Sequence, residues 1–177
     1  MAQSPPQSGR PPIQQLKTVA DLLETPALAR LYAYNLRRGP VTVSEIVNDL
    51  DIPQGTAYDY VQNLETAGLV EKTREKRPYE YNAESIALTL STDSGSQTIT
   101  PALIAAVARR DQDEDIDVYI DRHGLDGLAV ALEYTYEYVK GEVNHRIAAQ
   151  ELELSPLEAE IILQALEPVA TEYARTE

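Results

Sequence analysis

The chain has 177 residues, enough for one domain or two small ones, and it is strongly acidic. Its 29 Asp and Glu residues outnumber 15 Lys and Arg, and the formal net charge of -14 argues, as a whole-chain average, against a nucleic-acid partner. The absence of Cys excludes disulfides, thiolate metal sites and iron-sulfur clusters. Apolar residues make up 43% of the chain, which is close to the globular average and allows a buried core.

The acidic residues are unevenly distributed. Residues 1–83 hold 9 Lys and Arg against 10 Asp and Glu, a net charge of -1, whereas residues 84–177 hold 6 against 19, a net charge of -13. Within the first part, residues 72–78 carry four basic side chains and one acidic side chain. Such a cluster is often only a solvated turn. It lies, however, in the nearly neutral half of the chain, so the overall charge does not exclude a nucleic-acid partner there.

Composition also bears on where the protein works. No apolar run reaches the ~18 residues of a membrane span, and the Pro-, Gln- and Ser-rich start lacks the apolar core of a signal peptide. We expect a soluble, cytoplasmic protein with no membrane partner. Arg accounts for 11 of the basic residues and Lys for only 4. This acidic, Lys-poor composition resembles that of proteins from salt-accumulating haloarchaea.

The N-terminal region begins with a polar segment and two predicted helices. Residues 1–17 are rich in Pro and poor in apolar residues, which predicts a flexible tail. A helical segment follows from about Val19. Thr25 with Pro26 then indicates the start of a second helix, and Gly39 with the proline after it indicates where that helix ends.

A strand, two further helices and a hairpin are predicted next. Residues 41–43 favour a short strand, and Ser44 is expected to cap a helix over residues 44–50. The following helix is predicted over residues 54–67, and residues 70–82 alternate as a β-hairpin should, with the basic cluster at its tip. Seven apolar residues of this region are expected to form one shared core, which leaves the opposite face of the helix at 54–67 free. They are Ile46, Val47, Leu50, Ile52, Ala57, Val61 and Leu64.

The C-terminal half is expected to be mostly helical after a second, short hairpin over residues 86–100. Thr100 with the proline after it begins one helix, a short helix over residues 116–123 ends at Gly124, and Ser155 begins the last helix with a capping box. Between these helices, apolar residues recur at steps of three and four through the glycine at position 141, which predicts one long helix or two nearly collinear ones. This stripe, expected to serve as core or dimer seam, comprises Leu125, Leu128, Leu132, Tyr136, Val139, Val143 and Ile147.

The order of elements over residues 41–82 is that of a winged helix-turn-helix domain. Three segments agree in detail, namely Glu45-Ile46-Val47, Gly55-Thr56-Ala57-Tyr58 and Leu64-Glu65-Thr66-Ala67-Gly68-Leu69-Val70. On these segments, about residues 20–83 resemble prokaryotic transcriptional regulators of the ArsR, MarR and TrmB types.

The expected fold class is mainly α with a small β component. A flexible tail at 1–17 precedes an N-terminal winged helix-turn-helix DNA-binding domain at 18–83, made of three helices plus a β-hairpin wing. An acidic, mostly helical C-terminal domain at 84–177 is expected to form a homodimer through its helices. No small-molecule effector can be assigned to it from the sequence.

The resemblance implies a sequence-specific regulator whose recognition helix, about residues 54–67, enters the major groove of double-stranded DNA. The basic wing at 72–78 is then placed to hold the DNA backbone or to enter a neighbouring minor groove. In such a helix Gln can read adenine, Thr and Tyr can donate to phosphates, and Asp59 can accept from cytosine or repel a phosphate. The candidate DNA-binding residues are Ser44, Gln54, Gly55, Thr56, Tyr58, Asp59, Gln62, Lys72, Arg74, Lys76 and Arg77.

Two other classes of function compete with DNA reading. A winged helix also serves in protein-protein adaptors of the transcription or replication machinery that read no DNA, and this alternative stays open. An enzyme is the least favoured class, because the sequence contains no recognisable catalytic cluster. His123 and His145 have no partner at metal-ligand spacing, and His123 is expected in the last turn before Gly124. We therefore expect no metal and no cofactor.

Overall fold

The computed structural model describes residues 12–174, in which eight helices and five strands form two units. Among the described residues the division between the units falls after Ile86, close to the boundary predicted after Ala83. The described part is mainly helical with two small antiparallel sheets, and the predicted fold class is confirmed.

Four helices form the body of the N-terminal unit. They are α1 (Pro12–Glu24), α2 (Pro26–Arg38), α3 (Val43–Leu50) and α4 (Gln54–Thr66). As predicted, α2 has Thr25 at its N-cap position and ends at Gly39. The chain leaves α4 through Gly68, which has the left-handed backbone conformation (φ 73°) that glycine adopts at low cost.

Helix α1 corrects the expectation for the N-terminal tail. It begins at Pro12 rather than near Val19, so residues 12–17 belong to a helix, and residues 1–11 lie outside the described part. Three buried side chains, Thr18, Val19 and Leu22, fix the helix to the unit. Because each residue added to an existing helix costs little, the helix extends back from them until Pro12, a residue suited to the first helical position.

The predicted wing is present as two strands of a three-stranded antiparallel sheet. Strand β1 (Val41–Thr42) pairs with β3 (Glu80–Ala83), which also pairs with β2 (Val70–Lys72), giving the order β1-β3-β2. The register places Val41 opposite Tyr81. Residues 73–79 form the tip of the wing, where the basic cluster was expected.

The cap of α3 is Thr42, and the prediction of Ser44 as its cap was wrong. The Thr42 Oγ1 accepts from the Glu45 backbone N at 3.3 Å, while the Glu45 carboxylate accepts from the Thr42 backbone N at 2.7 Å. This reciprocal pair is a capping box. Helix α3 therefore begins at Val43, one residue before Ser44. This start is possible because strand β1 ends at Thr42.

The predicted core of the helix-turn-helix forms the centre of the N-terminal unit. Ile46, Ala57, Val61 and Leu64 are at most 2% exposed. Ile52 is also buried, whereas Val47 and Leu50 are half-buried. These contacts hold α3 and α4 together and fix the direction in which the opposite face of α4 points.

The C-terminal unit begins with a hairpin and continues with four helices. Its elements are β4 (Leu88–Thr92), β5 (Gly95–Ile99), α5 (Pro101–Ala108), α6 (Glu114–Val139), α7 (His145–Glu151) and α8 (Pro156–Ala174). The Oγ atoms of Thr100 and Ser155 accept from backbone N-H groups at the starts of α5 and α8, as expected of caps. Gly124, in a non-helical conformation (φ 72°), interrupts α6 where the short helix was predicted to end.

The predicted apolar stripe does not continue through Gly141. Helix α6 ends at Val139, Gly141 adopts a φ of 78°, and Asn144 caps a separate helix by accepting from two backbone N-H groups. Ile147 on that helix is 44% exposed, whereas Leu128 and Leu132 are buried inside the unit. Capping by Asn144 and the backbone freedom of Gly141 outweigh the hydrophobic period here.

Candidate nucleic-acid interface

The face of α4 opposite the core is polar and open to solvent. Ala57, Val61 and Leu64 occupy the buried side of the helix. Of the residues predicted to meet DNA, Thr56 is half-buried and the others on this helix are exposed, namely Gln54, Gly55, Tyr58, Asp59 and Gln62. The helix therefore presents donors, acceptors and one carboxylate, with little apolar surface other than the Tyr58 ring.

A groove of about 510 Å³ connects this helix with the start of α3 and with the wing. Among the predicted site residues, Ser44, Tyr58 and Arg77 line it, so three separate parts of the sequence meet at one surface. The remaining lining residues are Thr42, Val43, Pro78, Tyr79 and Tyr81. Ser44 is exposed in the first turn of α3. Backbone N-H groups at the N-terminus of a helix can bind an anion such as a phosphate.

The four cationic side chains of the wing are all exposed, and two of them contact the aromatic ring of Tyr79. The Lys72 Nζ lies 4.1 Å from the centre of the Tyr79 ring, and the Arg77 guanidinium carbon lies 5.8 Å from it. Both distances fit cation-π contacts. Tyr79 therefore restrains Lys72, at the end of β2, and Arg77, within the tip of the wing.

Tyr79 and Tyr81 were missed by the sequence reasoning, although a signal was present. Tyr79 and Tyr81 alternate with Glu80 directly after the basic cluster, Tyr79 just before β3 and Tyr81 within it, and this two-residue spacing favours side chains on one side of an extended chain. Burial raises the pKa of Tyr81, and the charge of Glu65 adds to this effect. The Tyr81 hydroxyl therefore stays protonated at neutral pH and remains available as a hydrogen-bond donor.

A further tyrosine, Tyr34, links α2 to the C-terminal part of α3. The Tyr34 hydroxyl donates to Asp49 Oδ2 at 2.5 Å. Burial, the hydrogen bond to Asp49 and the charge of that carboxylate raise the pKa of Tyr34 to about 12. The hydrogen bond is therefore intact across the physiological pH range and holds the end of α3 against α2.

The two histidines contact neighbours within the C-terminal unit. His123 Nε2 lies 2.9 Å from Glu158 Oε1, and its ring lies 4.4 Å from that of Tyr119. His145 stacks on Tyr138 at 4.7 Å. Within residues 12–174, no three His, Asp or Glu side chains come together where they could hold a metal ion.

Helices α2, α3 and α4, together with the two-stranded wing that follows α4, define the N-terminal unit as a winged helix-turn-helix domain. Residues 25–87 match the family model described as "Sugar-specific transcriptional regulator TrmB". This match supports a regulator of the TrmB type with a role in transcriptional regulation. None of the helices within residues 12–174 combines the length and apolar composition that crossing a membrane requires.

The C-terminal unit is similar to a different family. Residues 110–175 match the model described as "Family of unknown function (DUF7437)". The TrmB match ends at residue 87 and does not extend into this unit. No curated protein and no solved structure shows significant similarity to the chain.

Proposed function

We propose that the protein is a sequence-specific DNA-binding transcriptional regulator, with α4 in the major groove and the wing on the backbone or in a neighbouring minor groove. The observation that carries this proposal is the shared groove, to which the start of α3, the exposed face of α4 and the wing all contribute. A winged helix meets DNA with these same three parts. The polar face of α4 would read bases, and the cations would hold phosphates.

The charge distribution supports this use of the N-terminal unit. Four cations cluster in residues 72–78, and residues 1–83 are close to neutral, so repulsion of DNA by this part of the chain is small. The acidity of residues 84–177 matches the composition of proteins that work in concentrated salt. We infer that the protein functions in such a salt-rich cytoplasm, as haloarchaeal proteins do. There the Debye length is only about 3 Å at 1 M, so long-range repulsion is screened.

A homodimer is part of the proposal. Two copies related by a two-fold axis would place two α4 helices on half-sites about 34 to 36 Å apart in a palindromic operator. Leu128 and Leu132 of the predicted helical seam are buried inside their own unit, so these two side chains do not form the contact between the copies.

The wing cations test whether the chain binds DNA. Replacing Arg74, Lys76 and Arg77 by Ala should weaken binding to all DNA sequences, because phosphate contacts carry no sequence information. The logarithm of the binding constant decreases with the logarithm of the salt concentration. The steepness of this decrease should be smaller by about 3 in the variant, roughly one for each lost phosphate contact. The measurement is fluorescence anisotropy with the DNA upstream of the protein's own gene and with unrelated DNA.

A matched control variant also loses three positive charges, but at positions outside the candidate interface. Replacing Arg122, Lys140 and Arg146 of the C-terminal unit by Ala should leave the salt slope unchanged. An equal loss in both triple variants would show that net charge, and not the wing, governs binding. A wild-type chain that binds no DNA at all would defeat the proposal and favour the protein-protein adaptor.

Base reading is tested on α4. Replacing Gln54 or Thr56 by Ala should change which sequences are preferred, with about 1–3 kcal/mol lost at the base pair that each side chain contacts. Selection of bound DNA from a random pool, followed by sequencing, compares the preferred sites of the variants with that of the wild type. Identical sites for all three proteins would show that these two side chains read no bases.

A further inference from the structure

The hairpin of β4 and β5 is a sheet of only two strands. Within the part of the chain that the structure describes, neither strand pairs with a third one. Isolated two-stranded hairpins are at best marginally stable in water, and each free edge presents unpaired backbone N-H and C=O groups. This hairpin therefore offers a surface to which another strand can add.

The edge of β4 lacks the features that normally prevent such pairing. Exposed edge strands usually carry charges, prolines or bulges. Asp93, in the turn, is the only charged residue between Ser85 and Ala108, although 25% of the whole chain is charged. No proline interrupts either strand.

The more open of the two strands is β4. All but the first of its residues are exposed, and Leu90 at its centre is 44% exposed. On β5, by contrast, Ile99 is buried and its two preceding residues are half-buried. A large, exposed apolar side chain in the middle of an uncharged, accessible strand is a sign of an interaction surface.

The two faces of the hairpin differ. On one face, hydroxyl pairs link the strands, with 2.9 Å between the Oγ1 atoms of Thr89 and Thr98 and 3.2 Å between the Oγ atoms of Ser91 and Ser96. Leu90 lies on the other face. Thr92 and Gly95 flank the two-residue turn. The alternation of an antiparallel ladder then implies that Thr89 and Ser91 direct their backbone groups away from β5.

We propose that β4 pairs antiparallel with β4 of a second copy of this chain, about a two-fold axis at Leu90. Thr89 then lies opposite Ser91 of the second copy, and the two residues exchange both backbone hydrogen bonds. Leu90 faces its own counterpart across the axis. The two hairpins become one four-stranded sheet, with the leucines together on one face.

Charge favours a second copy as the occupant of this edge. Residues 84–177 carry a net charge of -13, so most of the C-terminal surface would repel the same surface of another copy. The uncharged segment from Ser85 to Thr92 is where two copies can approach without that repulsion. Centring the register on Leu90 also matches each backbone donor with an acceptor, because the two strands are identical. The inference rests on the proposed homodimer and is independent of DNA reading.

Because the chain contains no Cys, a single introduced thiol tests this contact directly. In a non-hydrogen-bonded antiparallel pair the Cα atoms lie about 4.5 Å apart, which a disulfide can span. The variant Leu90→Cys, treated with a mild oxidant in the absence of DNA, should become mostly a covalent dimer on a non-reducing gel. Thr89→Cys is the matched control, because residue 89 of one copy lies beyond about 7 Å from residue 89 of the other, too far for a disulfide.

A disruptive variant gives a second measurement. Leu90→Lys places two like charges across the axis and should raise the dimer dissociation constant at least about tenfold in sedimentation experiments. Circular dichroism checks that its helix content equals that of the wild type. A wild-type dimer in which Leu90→Cys does not cross-link would overturn the β4 contact but leave the homodimer intact. A monomeric wild type at micromolar concentration would overturn both, and neither result depends on the DNA-binding tests.

Discussion

At the scale of single residues, Gly39 shows how tightly the N-terminal unit is packed at the end of α2. A Cβ at this position would lie 2.6 Å from the backbone O of Asn35 and 2.6 Å from Oδ1 of Asn82. The first of these atoms belongs to helix α2 and cannot move without disturbing it. The constraint is steric, because the backbone of Gly39 (φ -60°) suits any residue.

Replacing Gly39 by Ala should therefore lower the free energy of unfolding by about 1–3 kcal/mol through overpacking. Gly55→Ala is the control, because no atom lies within 4 Å of its Cβ position and Ala is the better helix former in α4. Urea unfolding should show a loss for Gly39→Ala and a small gain for Gly55→Ala. Equal effects would contradict the steric explanation.

The Tyr34-Asp49 hydrogen bond makes stability depend on alkaline pH. The folded protein raises the Tyr34 pKa from 10.0 to about 12, so the folded state favours the protonated hydroxyl. Its contribution to stability is complete below about pH 10 and is lost as the pH rises towards 12. Tyr34→Phe should cost about 1 kcal/mol at pH 8, and this cost should shrink as the pH is raised from 10 to 12.

Urea unfolding of the wild type and Tyr34→Phe at several pH values measures the effect as a difference. Burial also raises the pKa of Tyr119 to about 12, but Tyr119 is present in both proteins and its effect cancels. A cost that stays constant up to pH 12 would show that the hydroxyl of Tyr34 is not held by Asp49.

At the scale of elements, the start of α3 depends on the capping box. Thr42→Ala should lower the free energy of unfolding by about 1 kcal/mol, because the Glu45 backbone N-H loses its acceptor, the Thr42 Oγ1. Ser44→Ala should have little effect on stability, since Ser44 is exposed and is not the cap. Thermal unfolding compares the two variants, and a larger loss for Ser44→Ala would contradict the assignment of the cap.

The wing is the second element on which the interface depends, and one aromatic side chain contacts two of its cations. Lys72 and Arg77 are separated along the wing, and Tyr79 contacts both. Because these contacts reduce the freedom of the two cations, less entropy is lost when they bind phosphates. The tip residues Arg74 and Lys76 have no such contact with Tyr79 among the cation-π pairs of the described residues.

At the scale of the whole molecule, the acidic C-terminal half should make stability depend on salt. Repulsion within a segment of net charge -13 disfavours the folded state in dilute buffer. Raising KCl from 0.1 M to 1 M shortens the Debye length from about 10 Å to about 3 Å and should raise the midpoint of thermal unfolding.

A charge-reduced variant separates screening from general salt effects. Replacing the exposed residues Asp126, Glu142 and Glu167 by their amides should stabilise the protein at 0.1 M KCl and weaken its response to added salt. If the variant responded to KCl as strongly as the wild type, charge repulsion would not be the cause.

The sequence by itself determined the elements whose signals are local. Gly68 after α4, Thr100 before α5 and Ser155 before α8 were all identified correctly, because caps and turns depend on side chains a few residues apart. The alternating pattern of the wing and its basic tip were likewise readable. These local signals, taken in chain order, predict the succession of elements of a winged helix-turn-helix domain. The helical period of the apolar residues predicts which face of α4 is exposed.

Only the tertiary structure decided where signals compete or where distant residues meet. The apolar stripe through Gly141 fits the helical period, yet the left-handed backbone of Gly141 and the cap at Asn144 divide it between two helices. Thr42 could be recognised as a cap only once β1 was seen to end there. Tyr79 and Tyr81 join Ser44 and Tyr58 at one groove because pairing of β3 with β1 brings the wing beside α3 and α4. Such contacts depend on packing between segments far apart in the chain, and no local pattern encodes them.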